Sequence, residues 1–266
     1  MMTQTAPAAD LVLPSAPGAG APGASGGWLW HWRAWQAQSR WAATTQQIAQ
    51  WLSGVSPGST ELLLIGASGG WMMSSAWLQR FRCVRAFDLD RWSAPVFRYR
   101  HGAALQQSRT KLEYQQLDAM RYLPQLLRTY PEAFVLFDNV LGQLRFVHNR
   151  LDAAEAQLHA ITRMLRGREW ASVHDAYSGR VAPSASGALV VPQLGPLQTV
   201  RQRSVAGALP QFSVAERRWC AQMGVKGAWL DHLTAGIFPA GTPIQHMAWP
   251  FSREYRHWLQ AAWVRA

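Results

Sequence analysis

Only two cysteines, Cys83 and Cys220, occur in the 266 residues, which excludes a disulfide framework and a four-cysteine zinc site. Lysine is nearly absent too: Lys111 and Lys226 are the only two, so arginine carries almost all the positive charge. Acidic residues are scarce, 15 against 26 Lys plus Arg, giving a formal net charge of +11 and an isoelectric point near 10.7. Such a balance raises non-specific affinity for polyanions through counterion release. The arginines are scattered and form no basic block, so nucleic acid is a possible but not a favoured partner. No stretch approaches the eighteen uninterrupted apolar residues of a membrane-spanning helix, and none is expected. The opening MMTQTAPAADLVLP has neither the basic nor the apolar region of a secretory signal, so a cytoplasmic placement is expected.

What the chain does have is a central unit, Glu61 to Asp90, reading ELLLIGASGGWMMSSAWLQRFRCVRAFDLD. Leu62 to Ile65 form a short apolar run, and Gly66-Ala67-Ser68-Gly69-Gly70 a turn of small residues. Trp71 to Phe81 has a helical apolar period, and Cys83 to Phe87 supply a second strand closed by Asp88 and Asp90. A sharp strand-to-helix turn needs small residues, because positive φ and close backbone approach are both penalised by a Cβ. Free N–H groups at the start of the helix favour an anion in the crevice. Asp88, about eighteen residues past the last glycine, stands where a ribose diol is gripped in nucleotide-binding sheets.

Around this unit the expected organisation is a disordered leader over 1–27, a Trp-rich helical segment and linker over 28–58, and an α/β domain over 59–266. The leader is rich in Ala, Pro, Gly and Ser, too little apolar material to fold alone. In the next segment Trp28, Trp32 and Trp35 fall at helical spacing, with Trp30, Trp41 and Trp51 beside them. A helix packed across the sheet is the reading preferred over a substrate lid or a membrane-surface anchor.

Downstream, Pro95–His101 opens a helix and Leu112–Leu117 is a third strand ending at Asp118. Tyr122–Tyr130 is helical, and Ala133–Phe137 is a fourth strand ending in Asp138-Asn139. Leu151–Leu165 is helical, and Trp170–Val173 is a fifth strand ending in His174-Asp175. An insertion over about 176–210 holds a short hairpin at Leu189–Val191, and Ser213 with Glu216 caps a helix running to Met223. Trp229–Phe238 and Ile244–Trp249 are expected to pair antiparallel, and Tyr255, Trp258, Leu259 and Ala262 give the tail a helical spacing. The alternation predicts a mostly parallel sheet with helices on both faces and its site along the carboxyl edge.

The ordered runs LLLIGASGG, FDLD, QQLDAM and FVLFDNVLGQL, over roughly residues 60–176, resemble the motifs of class I S-adenosylmethionine-dependent methyltransferases. The resemblance implies a Rossmann-like methyltransferase fold with S-adenosyl-L-methionine as cofactor. It places Gly66, Ala67, Ser68 and Gly70 at the loop around the cofactor's methionine part and Asp88 at its ribose. Asp118 and Ala119 fall at the adenine, and Asp138 and Asn139 where cofactor and acceptor meet. Two positions depart from that pattern: Leu64 stands where the family has an acid, and Ser68 where it has the middle glycine. Nor does Asp138-Asn139-Val140-Leu141 reproduce the Asn/Asp-Pro-Pro-aromatic signature of amino-group nucleic-acid methyltransferases, which points away from DNA methylation, and the Trp-rich segment with the apolar insertion leans toward a small or amphipathic acceptor.

Methyl transfer requires a base only for acceptors that arrive protonated, and His174, Asp175 and His232 are the catalytic candidates. No metal ligand set is read from the spacing. Two other readings stand beside this one. Gly66–Gly70 also fits GxSxG, and Ser68, Asp175 and His232 would complete a hydrolase triad in Ser, Asp, His order, although the strands that precede such an elbow are missing. A methyltransferase fold that binds without catalysing is the other, motivated by Leu64 and Ser68.

Overall fold

The computed structural model describes residues 26–148, 150–182, 230–234 and 236–266. Most of the leader, the hairpin at Leu189–Val191, the Ser213–Met223 helix with its Glu216 cap, Cys220 and Trp229 lie outside the described residues. In chain order the elements are α1 (Trp28–Gly54), β1 (Glu61–Ile65), α2 (Ser75–Leu78), β2 (Cys83–Asp88), α3 (Ser93–Gln107) and β3 (Lys111–Gln116). Then come α4 (Leu123–Thr129), β4 (Phe134–Asp138), α5 (Leu144–Val147), α6 (Leu151–Met164), β5 (Trp170–Arg180), β6 (Leu230–Asp231), β7 (Ile244–Trp249) and β8 (Tyr255–Val264).

These strands make one sheet in the order β3-β2-β1-β4-β5-β8-β7, with β6 paired to β5 off that path. Strands β1 to β5 are mutually parallel, and β8 runs antiparallel to both β5 and β7. Alternation along β1 and β4 explains how both faces are covered. Leu62, Leu64, Phe134 and Leu136 face the cluster that α1, α2 and α3 join through Ala34, Trp41, Ile48, Trp77, Leu78, Phe97 and Leu105. Leu63, Ile65, Val135 and Phe137 face the other cluster, joined by Leu123, Leu126, Leu158 and Ile161 of α4 and α6. The expected α/β class, parallel core and two-faced layering are those observed.

Four local expectations are corrected. The Trp71–Phe81 helix is reduced to the four residues of α2, because Trp71, Met72 and Met73 are all buried and no apolar stripe is left for one helical face. Ser74 caps the short helix with its hydroxyl oxygen, which accepts the Trp77 N–H. In α1 the buried stripe is His31, Ala34, Ala37, Trp41, Thr44, Ile48 and Leu52, while Trp28, Trp32 and Trp35 are more than half exposed. The helix still packs across the sheet, where the Thr44 hydroxyl donates to the Ala248 carbonyl of β7 at 2.8 Å. The tail is not helical but forms β8, and it is β8 that pairs with β7, whereas among the described residues of the expected partner Leu230–Asp231 alone is strand, against β5. A strand buried on both faces carries a near-continuous apolar run, which hides its period of two. Finally, β5 continues to Arg180, so Ala176–Arg180 is strand and not insertion.

Two histidines are built into this packing as neutral groups. His101 Nε2–H donates to the Gly70 carbonyl, leaving Nδ1 to accept the Ser75 hydroxyl, and His246 Nδ1 accepts the Trp258 indole N–H. Burial lowers both pKa values to about 4. An unfolded imidazole, ordinarily near 6.5, binds a proton where these do not. Stability is therefore complete above about pH 6.5 and falls as pH drops toward about 4, by on the order of 3 kcal/mol per group. Melting temperatures measured from pH 7.5 to 4.5 should decline throughout the acid half of that range, and His246→Gln should make the decline shallower.

Candidate functional site

Register alone assembles the first part of the site. Ile65 lies opposite Phe87 of β2 and Phe137 of β4, so the next residues, Gly66, Asp88 and Asp138, emerge together at the carboxyl edge. Here the connections leave β1 in opposite directions, the switch point at which open α/β sheets bind ligands.

The turn curls over the end of β2. Gly66 and Ala67 donate their N–H groups to the Phe87 carbonyl, and Ser68 donates its N–H to Asp88 Oδ2 at 2.9 Å. Gly66, Ser68 and Gly70 all have positive φ (76°, 45° and 66°), so the serine occupies a conformation that glycine adopts without strain. A Cβ on Gly66 would lie 2.9 Å from the Asp138 carbonyl oxygen, and one on Gly70 2.3 Å from His101 Nε2. The glycines thus admit close approach of β4 and α3. Ala67 is fully buried between strand and helix.

Ser68 is held three ways, because its hydroxyl also accepts the Trp30 indole N–H at 3.2 Å and its carbonyl accepts the Tyr114 hydroxyl at 2.7 Å. Among the described residues no hydrogen bond joins Ser68 to His232 or Asp175. The proposed Ser68, Asp175, His232 triad is therefore not assembled, and the serine nucleophile is set aside.

Asp88 accepts from Ser68 N–H, Asp90 N–H and the Ser93 hydroxyl. A carboxylate offers about four acceptor positions, so one remains for a ligand. Burial pushes its pKa up, opposed by the two backbone N–H groups. Asp138 has no hydrogen-bond partner for its carboxyl among the described residues, and burial followed by the charge of Asp88 raises its pKa to about 8. Asp118, beyond β3, accepts the Arg121 N–H at 3.1 Å, and Ala119 beside it is buried. Asn139 adopts φ 54°, donates its N–H to the Val173 carbonyl and accepts the Asp175 N–H at its side-chain oxygen. The ring of Asp88, Asp118, Ala119, Asp138 and Asn139 therefore lies along one edge.

His31 and Asp90 were not among the expected site residues. Trp71 donates its indole N–H to His31 Nδ1, which fixes the proton on Nε2, and Nε2–H donates to Asp90 at 3.1 Å. Asp90 also accepts the Gly27 N–H at 2.6 Å and the Trp92 N–H at 2.9 Å. The start of α1 is thereby latched to the end of β2, beside an open hollow of about 760 Å³ lined by Trp28, Leu29, Arg91 and Trp92. The sequence signal was only an acid two residues past Asp88.

The three catalytic candidates separate. His174 lies inside β5, stacked on Phe238 and hydrogen-bonded to Ser172, its pKa lowered to about 3 by burial; it is a core residue and not the end of a strand. Asp175 and His232 do come together, in a second cluster with Ser178 and His257. Asp175 and Ser178 are three apart and would face opposite ways in a regular strand, but a bulge between Asp175 and Tyr177 returns them to one face. His232 Nδ1–H donates to the Gly142 carbonyl at 2.9 Å, so its lone pair is on Nε2, 2.8 Å from the Ser178 hydroxyl. His257, on the neighbouring strand, places Nδ1 2.9 Å from Asp175 Oδ1. Asp175 is held below the usual carboxylate range: burial raises it, and His257 and His232 more than reverse that. Nothing in the spacing of His257 pointed to it.

No family model matches the chain, and no curated protein matches it in sequence. Among solved structures it is similar to the N-methyltransferase NodS of Bradyrhizobium japonicum WM9 with S-adenosyl-L-homocysteine. That match has 10% identity and a TM-score of 0.42 and covers 88% of this chain and 100% of that one. Magnesium protoporphyrin IX methyltransferase of Synechocystis PCC 6803 matches at 15% identity and a TM-score of 0.40, over 83% and 81%. A protein of Bacillus halodurans C-125 matches at 21% identity and 0.32, over half of each chain. Likenesses of this size decide nothing about activity. The strand order and the closing antiparallel pair themselves make this a Rossmann-like α/β fold, mostly parallel with a terminal antiparallel pair.

The latch gives a stability prediction. Asp90→Ala removes the acceptor of Gly27 N–H, Trp92 N–H and His31 Nε2–H, and should cost about 1–3 kcal/mol. A fall in melting temperature of several degrees, with faster proteolysis near the start of α1, is the expected result.

Proposed function

We propose that the chain is an S-adenosyl-L-methionine-dependent methyltransferase acting on a small or amphipathic acceptor. The observation that carries this reading is Asp138, a buried acid at the switch point with no cation beside it among the described residues. A ligand bearing positive charge would meet that need, and this cofactor carries an ammonium group and a sulfonium. The residues present fit it in this respect. Leu64 is fully buried in the core between its neighbours on β2 and β4, and Asp138, next to Gly66, supplies from the adjoining strand the acid that β1 lacks.

In this reading Gly66, Ala67, Ser68 and Gly70 shape the turn under the methionine part, Asp88 offers its remaining acceptor position to the ribose, and Asp118 with Ala119 borders the adenine. When bound, the cofactor supplies a methyl group already activated by the sulfonium, so the protein's task is alignment. Asn139 separates that pocket from the acceptor side. There His232, its pKa lowered by burial and its lone pair on Nε2, is where an acceptor's proton would go.

The charge argument supplies the test. In the free protein Asp138 is largely protonated below about pH 8, whereas a cationic ligand favours the carboxylate, so binding releases a proton. Calorimetric titration with S-adenosylmethionine should give an affinity that rises as pH is raised from 6.5 toward 8, with proton release at pH 7. Asp138→Asn should weaken binding at least tenfold and remove that pH dependence. A folded protein that binds neither S-adenosylmethionine nor S-adenosylhomocysteine would overturn the proposal and leave a binding module on this fold.

A further inference from the structure

The second cluster does more than hold an acceptor base. We propose that Asp175, His232 and His257 form a site for one divalent transition ion of the zinc class. Two imidazoles and a carboxylate are a ligand set that suits such ions. One ligand atom from each of the three residues lies within 4.8 Å of the others. Ligands about 2.1 Å from one tetrahedral ion stand roughly 3.4 Å from each other, and Asp175 Oδ1 and His257 Nδ1 are 2.9 Å apart, so a small outward movement of one side chain seats an ion between them. Those two buried atoms sit in a close ion pair whose angle falls outside that of a good hydrogen bond, so an ion that displaced the proton between them would give up little.

The surroundings also match. A ligating imidazole is oriented by what its other nitrogen donates to, and a ligating carboxylate by what its second oxygen accepts. His232 Nδ1–H is held by the Gly142 carbonyl, and Asp175 Oδ2 by the Gln143 amide at 3.3 Å. The rings of Trp249, Phe251 and Tyr255 surround His257 at 4.9–5.5 Å, which restricts access of bulk water. Among the described residues Ser178 competes, since its hydroxyl lies 2.8 Å from the His232 lone pair; binding would turn it aside. The consequence for chemistry rests on the methyl-transfer reading: an ion here would lower the pKa of a bound hydroxyl acceptor so that its proton passes to solvent and the alkoxide is held, with His232 then a ligand and not a free base.

The test uses the full chain and cobalt(II), whose visible absorption reports ligation. One equivalent should bind with new bands between about 500 and 650 nm and be displaced by zinc. Asp175→Asn and His257→Gln should each weaken uptake at least tenfold, while His159→Gln, on α6, leaves it unchanged. Ser178→Ala, which frees the His232 lone pair, should tighten uptake, a result a merely structural hydrogen-bond network would not give. Should a ligand variant fail to fold, a zinc-induced rise in the melting temperature of the native chain, enlarged in Ser178→Ala, tests the same site. Absence of uptake at millimolar cobalt, or uptake indifferent to the ligand substitutions or to Ser178→Ala, would overturn the proposal. Because uptake is measured without S-adenosylmethionine, failure here leaves cofactor binding at Asp138 standing, and the reverse holds.

Discussion

The bond from the Ser68 N–H to the Asp88 carboxylate is the constraint on which the crevice depends. A turn with three residues at positive φ, one of them a serine, is costly to hold. A backbone N–H donating to a carboxylate contributes about 1.5–3 kcal/mol in return, provided Asp88 is ionised. The second N–H, from Asp90, favours that form, and the charge then acts on the neighbouring strand by raising Asp138. Two acids in one low-dielectric crevice divide the roles: one ionises to hold the loop, and the other stays protonated until a cation arrives. Loop geometry and ligand charge are thereby coupled through a single side chain.

The same logic governs what could be read from the residues alone. The strands β1, β2 and β4 were legible because each is a short, mainly apolar run closed by a turn signal, and their ends follow once their lengths are known. That Asp88 would stand at the edge was therefore legible; that it would hold Ser68 was not, since the partner depends on how the turn folds back. The α2 region misled because Trp71, Met72 and Met73 mimic a helical stripe while all three are buried. In β8, Tyr255, Trp258, Leu259 and Ala262 mimic one as well, although the strand is flanked by neighbours on both edges. His257 carried no signal because cross-strand pairing, not sequence spacing, brings it to Asp175.

Strand length explains why two clusters share one edge. β4 pairs with β5 only as far as Val173, whereas β8 follows β5 to Arg180. The free edge left beyond Val173 is taken by β6 at Tyr177 and Ser178, and the residue after β6 is His232. Leu233 follows at φ 66°, a strained conformation for a leucine. Its cost is offset by the bonds that fix His232: its N–H to the Ala176 carbonyl and its ring to Gly142. The overhang of β5 is thus the physical origin of the second cluster.

Asn139 joins the two, and its identity follows from three demands made at once. The chain must adopt positive φ there to pass from β4 under β5, which asparagine tolerates better than most residues. The Asp175 N–H, left beyond the last β4–β5 pair at Val173, must find an acceptor, which the asparagine amide oxygen provides at 2.9 Å. Glycine would satisfy the first demand and leave that N–H buried without a partner. Aspartate would satisfy both but set another negative charge between Asp138 and Asp175, raising the energy of every ionised state in the crevice. A neutral acceptor that tolerates the left-handed region is what keeps the acid of the first cluster and the acid of the second electrically separate while fixing their spacing.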